Sequence, residues 1–244
     1  MNKLTLIQSF LFYITLASEL LPLMFCVLFF NKLHTKSLKV FFIYTCLLFL
    51  FSIVSFFIIS YPGTSLIYYL LLRLFSILEF SVIALFFYHV LKLPVAKKII
   101  LYLILLFFLF ATLDYFFTEK SQFNNHSNLV SSLVLIVFII YYFYEKMKIV
   151  VMYPLYQSIV FWICVAFFLL FTGTFFFFLL VSYSKDDEFK GQLSYIYSFV
   201  TITKNILLCL SLFATENKEQ PSDELHIPNH MDLDEFSLTN LKKS

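Results

Sequence analysis

The chain has 244 residues, of which 61% are apolar and 21% aromatic against 13% charged, and its mean hydropathy is +0.89. These proportions exclude a soluble globular domain and mark an all-α, polytopic integral membrane protein. With a formal net charge of only +2, no nucleic-acid partner is expected.

Taking about 20 apolar residues per crossing, seven spans are predicted, at roughly 6 to 30, 38 to 60, 66 to 91, 98 to 117, 128 to 147, 155 to 183 and 193 to 214. The first begins Met1-Asn2-Lys3 and resembles a signal peptide as far as Ala17, but its hydrophobicity runs on to Phe30, so it is expected to be retained. Short polar connections join the spans and leave no room for a second domain between them. Eleven Lys lie on one side and four on the other, so the positive-inside rule puts the N-terminus outside and the C-terminus in the cytoplasm. Trp162 and the cluster Tyr141, Tyr142 and Tyr144 then fall near inner helix ends, where amphipathic rings prefer to sit. The 35 Phe and three Gly predict bulky lipid-facing surfaces and few close helix seams, hence a loosely grooved bundle.

Residues 1–214 thus form the predicted bundle, and residues 215–244 a polar, acidic cytoplasmic tail without a periodic core, expected to be disordered. Within the tail, Met231, Leu233, Phe236, Leu238 and Leu241 stand among acids. They suit either one short helix in a partner's groove or a solvated tail with incidental leucines. Cys26, Cys46, Cys164 and Cys209 all sit in apolar runs and imply neither a disulfide nor a metal. The five His are scattered over loops, helix ends and tail and read as solvated side chains. Only Pro22 interrupts a span and no internal repeat is visible, which lowers the case for a carrier built on inverted repeats.

Four ionisable side chains are committed to hydrocarbon: Glu19 in the first span, Arg73 and Glu79 in the third, and Lys204 in the seventh, beside Asn205. These three spans run in the same direction. At 1.5 Å rise per residue, Glu19, Glu79 and Lys204 all lie roughly 17 to 20 Å from the outer boundary, and Arg73 about 10 Å. Two carboxylates and an ammonium are therefore expected in one layer near the midplane. Lys204 shares a helical stripe with Thr201 and Tyr197, and Glu19 one with Gln8 and Thr15. Pro22 removes the amide that would bond the Ser18 carbonyl, leaving backbone available beside Glu19.

Arg73 and Glu79, six residues apart, do not face each other. Lys204 is accordingly expected to pair with Glu19 or Glu79, and Arg73 to face an outer polar pocket. Two acids against one Lys leave an excess carboxyl, which hydrocarbon favours in its neutral form. The layer suits either a structural ion network or a site for a ligand, ion or proton; its candidate binding residues are Glu19, Arg73, Glu79, Lys204, Asn205, Thr201 and Tyr197. A lysine in the seventh span with a carboxylate in the third also resembles a rhodopsin skeleton, but one Trp cannot supply the aromatic sandwich around retinal, so a retinal-binding protein ranks as the third reading and no cofactor is expected. Hydrolase, P-loop, zinc-protease and dinucleotide signatures are absent, and no nucleophile and base are placed together by a recognisable spacing, so an enzyme is not expected.

The runs PLYQSIVFWICVAFFLLFTGTFFFF, LSYIYSFVTITKNILLCLSLF and SELLPLMFCVLFFNKL resemble a group of bacterial seven-helix membrane proteins whose roles are not characterised. In that group the sixth helix opens with Pro, then Phe-Trp, and continues to a Gly, and the seventh carries a central Asn. Pro154, Phe161, Trp162, Gly173 and Asn205 match. Such proteins are often encoded beside a histidine kinase that lacks its own sensor spans. The resemblance therefore implies a place in the bacterial inner membrane and a kinase partner reached through the tail. The expected function is a receptor-like or signalling-accessory protein that senses a small ligand, lipid or ion through the midplane layer, with a small proton- or ion-coupled carrier as the alternative.

Overall fold

The computed structural model describes residues 3–60, 65–117, 125–148, 155–184 and 187–214. The tail, with Met231, Leu233, Phe236, Leu238 and Leu241, lies outside the described residues, as does Pro154. The described chain is helical throughout its long elements: α1 (Lys3–Ser18), α2 (Leu20–Leu28), α3 (Lys36–Ser60), α4 (Ser65–Val90), α5 (Pro94–Phe117), α6 (Asn125–Lys148), α7 (Ile159–Tyr183) and α8 (Asp187–Ser211). With α1 and α2 counted as one crossing, seven helices among the described residues are long and apolar enough to span a membrane. The protein is a multi-pass membrane protein.

α1 and α2 are one crossing whose helical hydrogen bonding is interrupted at Glu19; the residue keeps helical backbone angles (φ −70°, ψ −19°), and its amide bonds the Leu16 carbonyl at 3.3 Å. Two local causes meet there. Pro22 supplies no N–H to the Ser18 carbonyl, and the Thr15 and Ser18 hydroxyls bond back to Leu11 (2.8 Å) and Thr15 (2.6 Å) carbonyls, which bends helices.

The order of packing is nearly a ring: α1 and α2 lie on α8, α8 on α7, α7 on α6, α6 on α5 and α4, α4 on α3, and α3 returns to α2. The interior is aromatic: Phe167 of α7 meets Tyr44 of α3 edge-on at 5.2 Å and Phe86 of α4 at 5.9 Å. α7 and α8 meet in a close seam. A Cβ built at Gly173 on α7 would stand 2.7 Å from a Val200 methyl on α8, so a larger residue there would force Val200 to shift or the helices to part. Elsewhere the bulky side chains hold helices apart, and an apolar groove of about 450 Å³ runs between α4, α5 and α6, lined by Phe80, Phe107, Val130 and Val134 among others.

At the end of the bundle that holds the α2–α3 and α4–α5 turns, two bonds join the connections to distant helices. Lys32 donates to the Leu212 carbonyl at 2.8 Å, just beyond α8, and the Lys92 amide donates to Glu145 near the end of α6 at 3.1 Å. A cation on the last carbonyls of a helix is favourable there, so Lys32 also serves α8 as a cap.

Candidate functional site: a charged layer at the helix break

Packing of α1, α2, α3, α4 and α8 brings Glu19, Glu79 and Lys204 to one level. Lys204 is 1% exposed and Asn205 fully buried, so both project into the bundle and away from lipid. Lys204 acts electrostatically on both carboxylates, and the two carboxylates act on one another. The convergence expected from residue counting is therefore present.

The expected direct pairing is not. Among the described residues, no carboxylate oxygen comes within 4.0 Å of the Lys204 nitrogen. Each acid has instead taken a hydroxyl from α3: Tyr44 donates to Glu79 at 3.3 Å, and the Ser52 hydroxyl meets Glu19. That same hydroxyl lies 2.9 Å from the Leu48 carbonyl, so its one proton is shared between two acceptors. Tyr44 also comes between the charges. The Lys204 nitrogen stands 6.0 Å from the centroid of its ring, at the edge of cation–π range. The physical reason for the difference is that α3 packs between the first crossing and α4, so a tyrosine occupies the space that a salt bridge would need.

Asn205 fastens α8 to the break. Its amide nitrogen donates to the Ser18 hydroxyl at 2.8 Å. Because that hydroxyl gives its only proton to the Thr15 carbonyl, only the NH2 of Asn205 can face it, which settles which way the amide points. The Asn205 carbonyl oxygen is left buried with no hydrogen-bond partner.

The other candidates divide. Tyr197, one and two helical turns above Thr201 and Lys204, is half-buried against Phe177 at 5.1 Å and close enough to both glutamates to sense their charge. Thr201 is buried, but its hydroxyl bonds the Tyr197 carbonyl of its own helix at 2.9 Å and so is spent locally. Arg73 is buried and six residues from Glu79; the cation that acts on the two glutamates is Lys204. Near Arg73, Ser76 ties α4 to α6 through Asn128 at 2.6 Å.

Sequence reasoning missed Tyr44, Ser52 and the structural part played by Ser18. A signal was available for the first two, since Tyr44, Ser52 and Ser55 recur on one face of an otherwise apolar span.

Set against known protein families, curated proteins and solved structures, the chain matches none of them.

Proposed function

We propose that the bundle is a receptor-like membrane protein that binds a small ligand or ion at the charged layer and passes a helix shift to a cytoplasmic partner. The observation that carries this reading is the unpaired arrangement of Glu19, Glu79 and Lys204 around Tyr44 at a broken helix. A layer evolved only as internal glue would close its ion pairs directly, because an incompletely paired buried charge is costly. Here the polar groups are linked through hydroxyls that can exchange partners.

Transmission has a short route. α2 packs on α8 just past the interrupted turn, and Lys32 joins the end of the first crossing to the carbonyl of Leu212, three residues before Thr215 begins the tail. A ligand that favours one angle at Glu19 thereby favours one position of the end of α8. Coupling requires unequal binding to two arrangements. The distribution of Lys supports an N-terminus outside and a tail in the cytoplasm, and the resemblance to the bacterial seven-helix group supports a histidine kinase as partner and the inner membrane as location. The test is capture of a co-expressed histidine kinase by the full-length protein and not by a chain ending at Ala214. Equal recovery removes the tail from the mechanism.

The main-chain carbonyl that Pro22 deprives of its helical donor favours a second reading, an ion- or proton-coupled carrier, since carbonyls freed within a span coordinate ions in such proteins. Uptake into proteoliposomes driven by a pH or sodium gradient, and lost in Glu79→Gln, would favour it over a receptor.

A further inference from the structure

Three features of the α1–α2 break point to the same chemistry. The Asn205 side-chain oxygen is fully buried and has no donor. The Ser18 carbonyl has lost its ordinary helical donor to Pro22. Glu19 follows directly, and among the described residues its carboxylate takes a hydrogen bond from the shared hydroxyl of Ser52, with the Lys204 ammonium acting on it at longer range. All three are acceptors, and among the described residues the Asn205 oxygen receives no hydrogen bond. A proton on Glu19 would answer one of these oxygens; a dehydrated cation answers several at once.

The charge balance gives the valence. Two carboxylates face one ammonium, so the layer carries one negative charge in excess when all three groups are ionised. Among the described residues no group of three His, Cys, Asp or Glu is gathered, so the ligand set of a transition metal is missing, and one carboxylate with two neutral oxygens suits a singly charged ion better than a doubly charged one. Lys204 does not block the position: it is the residue before Asn205, about 100° away around the helix, and its nitrogen is over the Tyr44 ring. We propose that the break binds one monovalent metal cation of the sodium class, held by the Glu19 carboxylate, the Ser18 main-chain carbonyl and the Asn205 amide oxygen.

This names the ligand class for the receptor-like site and rests on that reading for its consequence, though not for its existence. A bound cation draws α8 and the two halves of the first crossing together at Ser18, so occupancy and the angle at Glu19 are linked.

The experiment uses the full-length protein purified in detergent. Melting is followed in sodium, potassium or choline chloride at equal ionic strength, and radioactive sodium is bound to the same protein. One sodium per chain is expected, with Tm raised by about 5 °C or more at a hundredfold excess over Kd relative to choline. Glu19→Gln and Asn205→Leu should each weaken sodium binding at least about tenfold. Identical melting in sodium and choline with no bound sodium overturns the site, and because this is read on the natural chain it stands even if both variants fail to fold. Equal stabilisation by calcium, or by acid in the absence of sodium, overturns the monovalent-metal assignment. Sodium binding that leaves kinase capture unchanged keeps the site and overturns the receptor reading; kinase capture without sodium binding does the reverse.

Discussion

Replacing Lys204 with Met tests whether the ammonium holds the layer together. Methionine keeps nearly the length and volume of the lysine stem, so little cavity is created around a residue that is 1% exposed. Two losses remain. The contact over the Tyr44 ring at 6.0 Å is worth about 0.5–2 kcal/mol. The larger loss is that Glu19 and Glu79 face each other with no cation between them, and removing one partner from a buried charge set costs about 3–5 kcal/mol. Adding Glu79→Gln should then restore about 1–3 kcal/mol, because it deletes one stranded charge and keeps an oxygen for the Tyr44 hydroxyl. The assay is unfolding of the detergent-solubilised protein, followed by fluorescence of its single tryptophan, Trp162, for the natural chain, the single variants and the double variant. A Lys204→Met protein within about 0.5 kcal/mol of the natural one, or a double variant no better than Lys204→Met alone, would refute the electrostatic argument.

Other consequences can be checked in the same preparation. Tyr44→Phe keeps the ring beneath Lys204 and removes the donor to Glu79; a loss of about 1.5–3 kcal/mol is expected, and unaltered unfolding would show that the 3.3 Å contact carries no weight. Gly173→Ala should cost about 1–3 kcal/mol by driving a methyl against Val200, and Val200→Ala in the same chain should recover most of it, as thermal melting would record. Lys32→Met should cost no more than about 1 kcal/mol globally, yet it should speed amide hydrogen exchange in the last turn of α8, where the Leu212 carbonyl loses its donor.

The extent of what could be read without a structure follows from the solvent. In a bilayer each span must satisfy its own backbone bonds and bury about 20 apolar side chains, so the seven crossings are written along the chain. The predicted spans 38 to 60 and 66 to 91 fall almost on Lys36–Ser60 and Ser65–Val90. That Glu19, Glu79 and Lys204 would come near one another was likewise legible, because position along a helix is the product of a residue count and a fixed rise. Pro22 announced a disturbance beside Glu19, and the helical hydrogen bonding is interrupted there.

Which side chain stands between two charges is not a property of either of their helices. It depends on which third helix packs against them, and here that helix is α3, which places Tyr44 between Lys204 and Glu79 and Ser52 at Glu19. The hydrophobic pattern could not select that neighbour, since every span is apolar on several faces and lipid is as acceptable a partner as protein. Depth was therefore set by the amino-acid sequence alone. Partnership was decided by side-chain shape and hydrogen bonding, at the Gly173–Val200 seam and at the Asn205–Ser18 contact, once the helices had met.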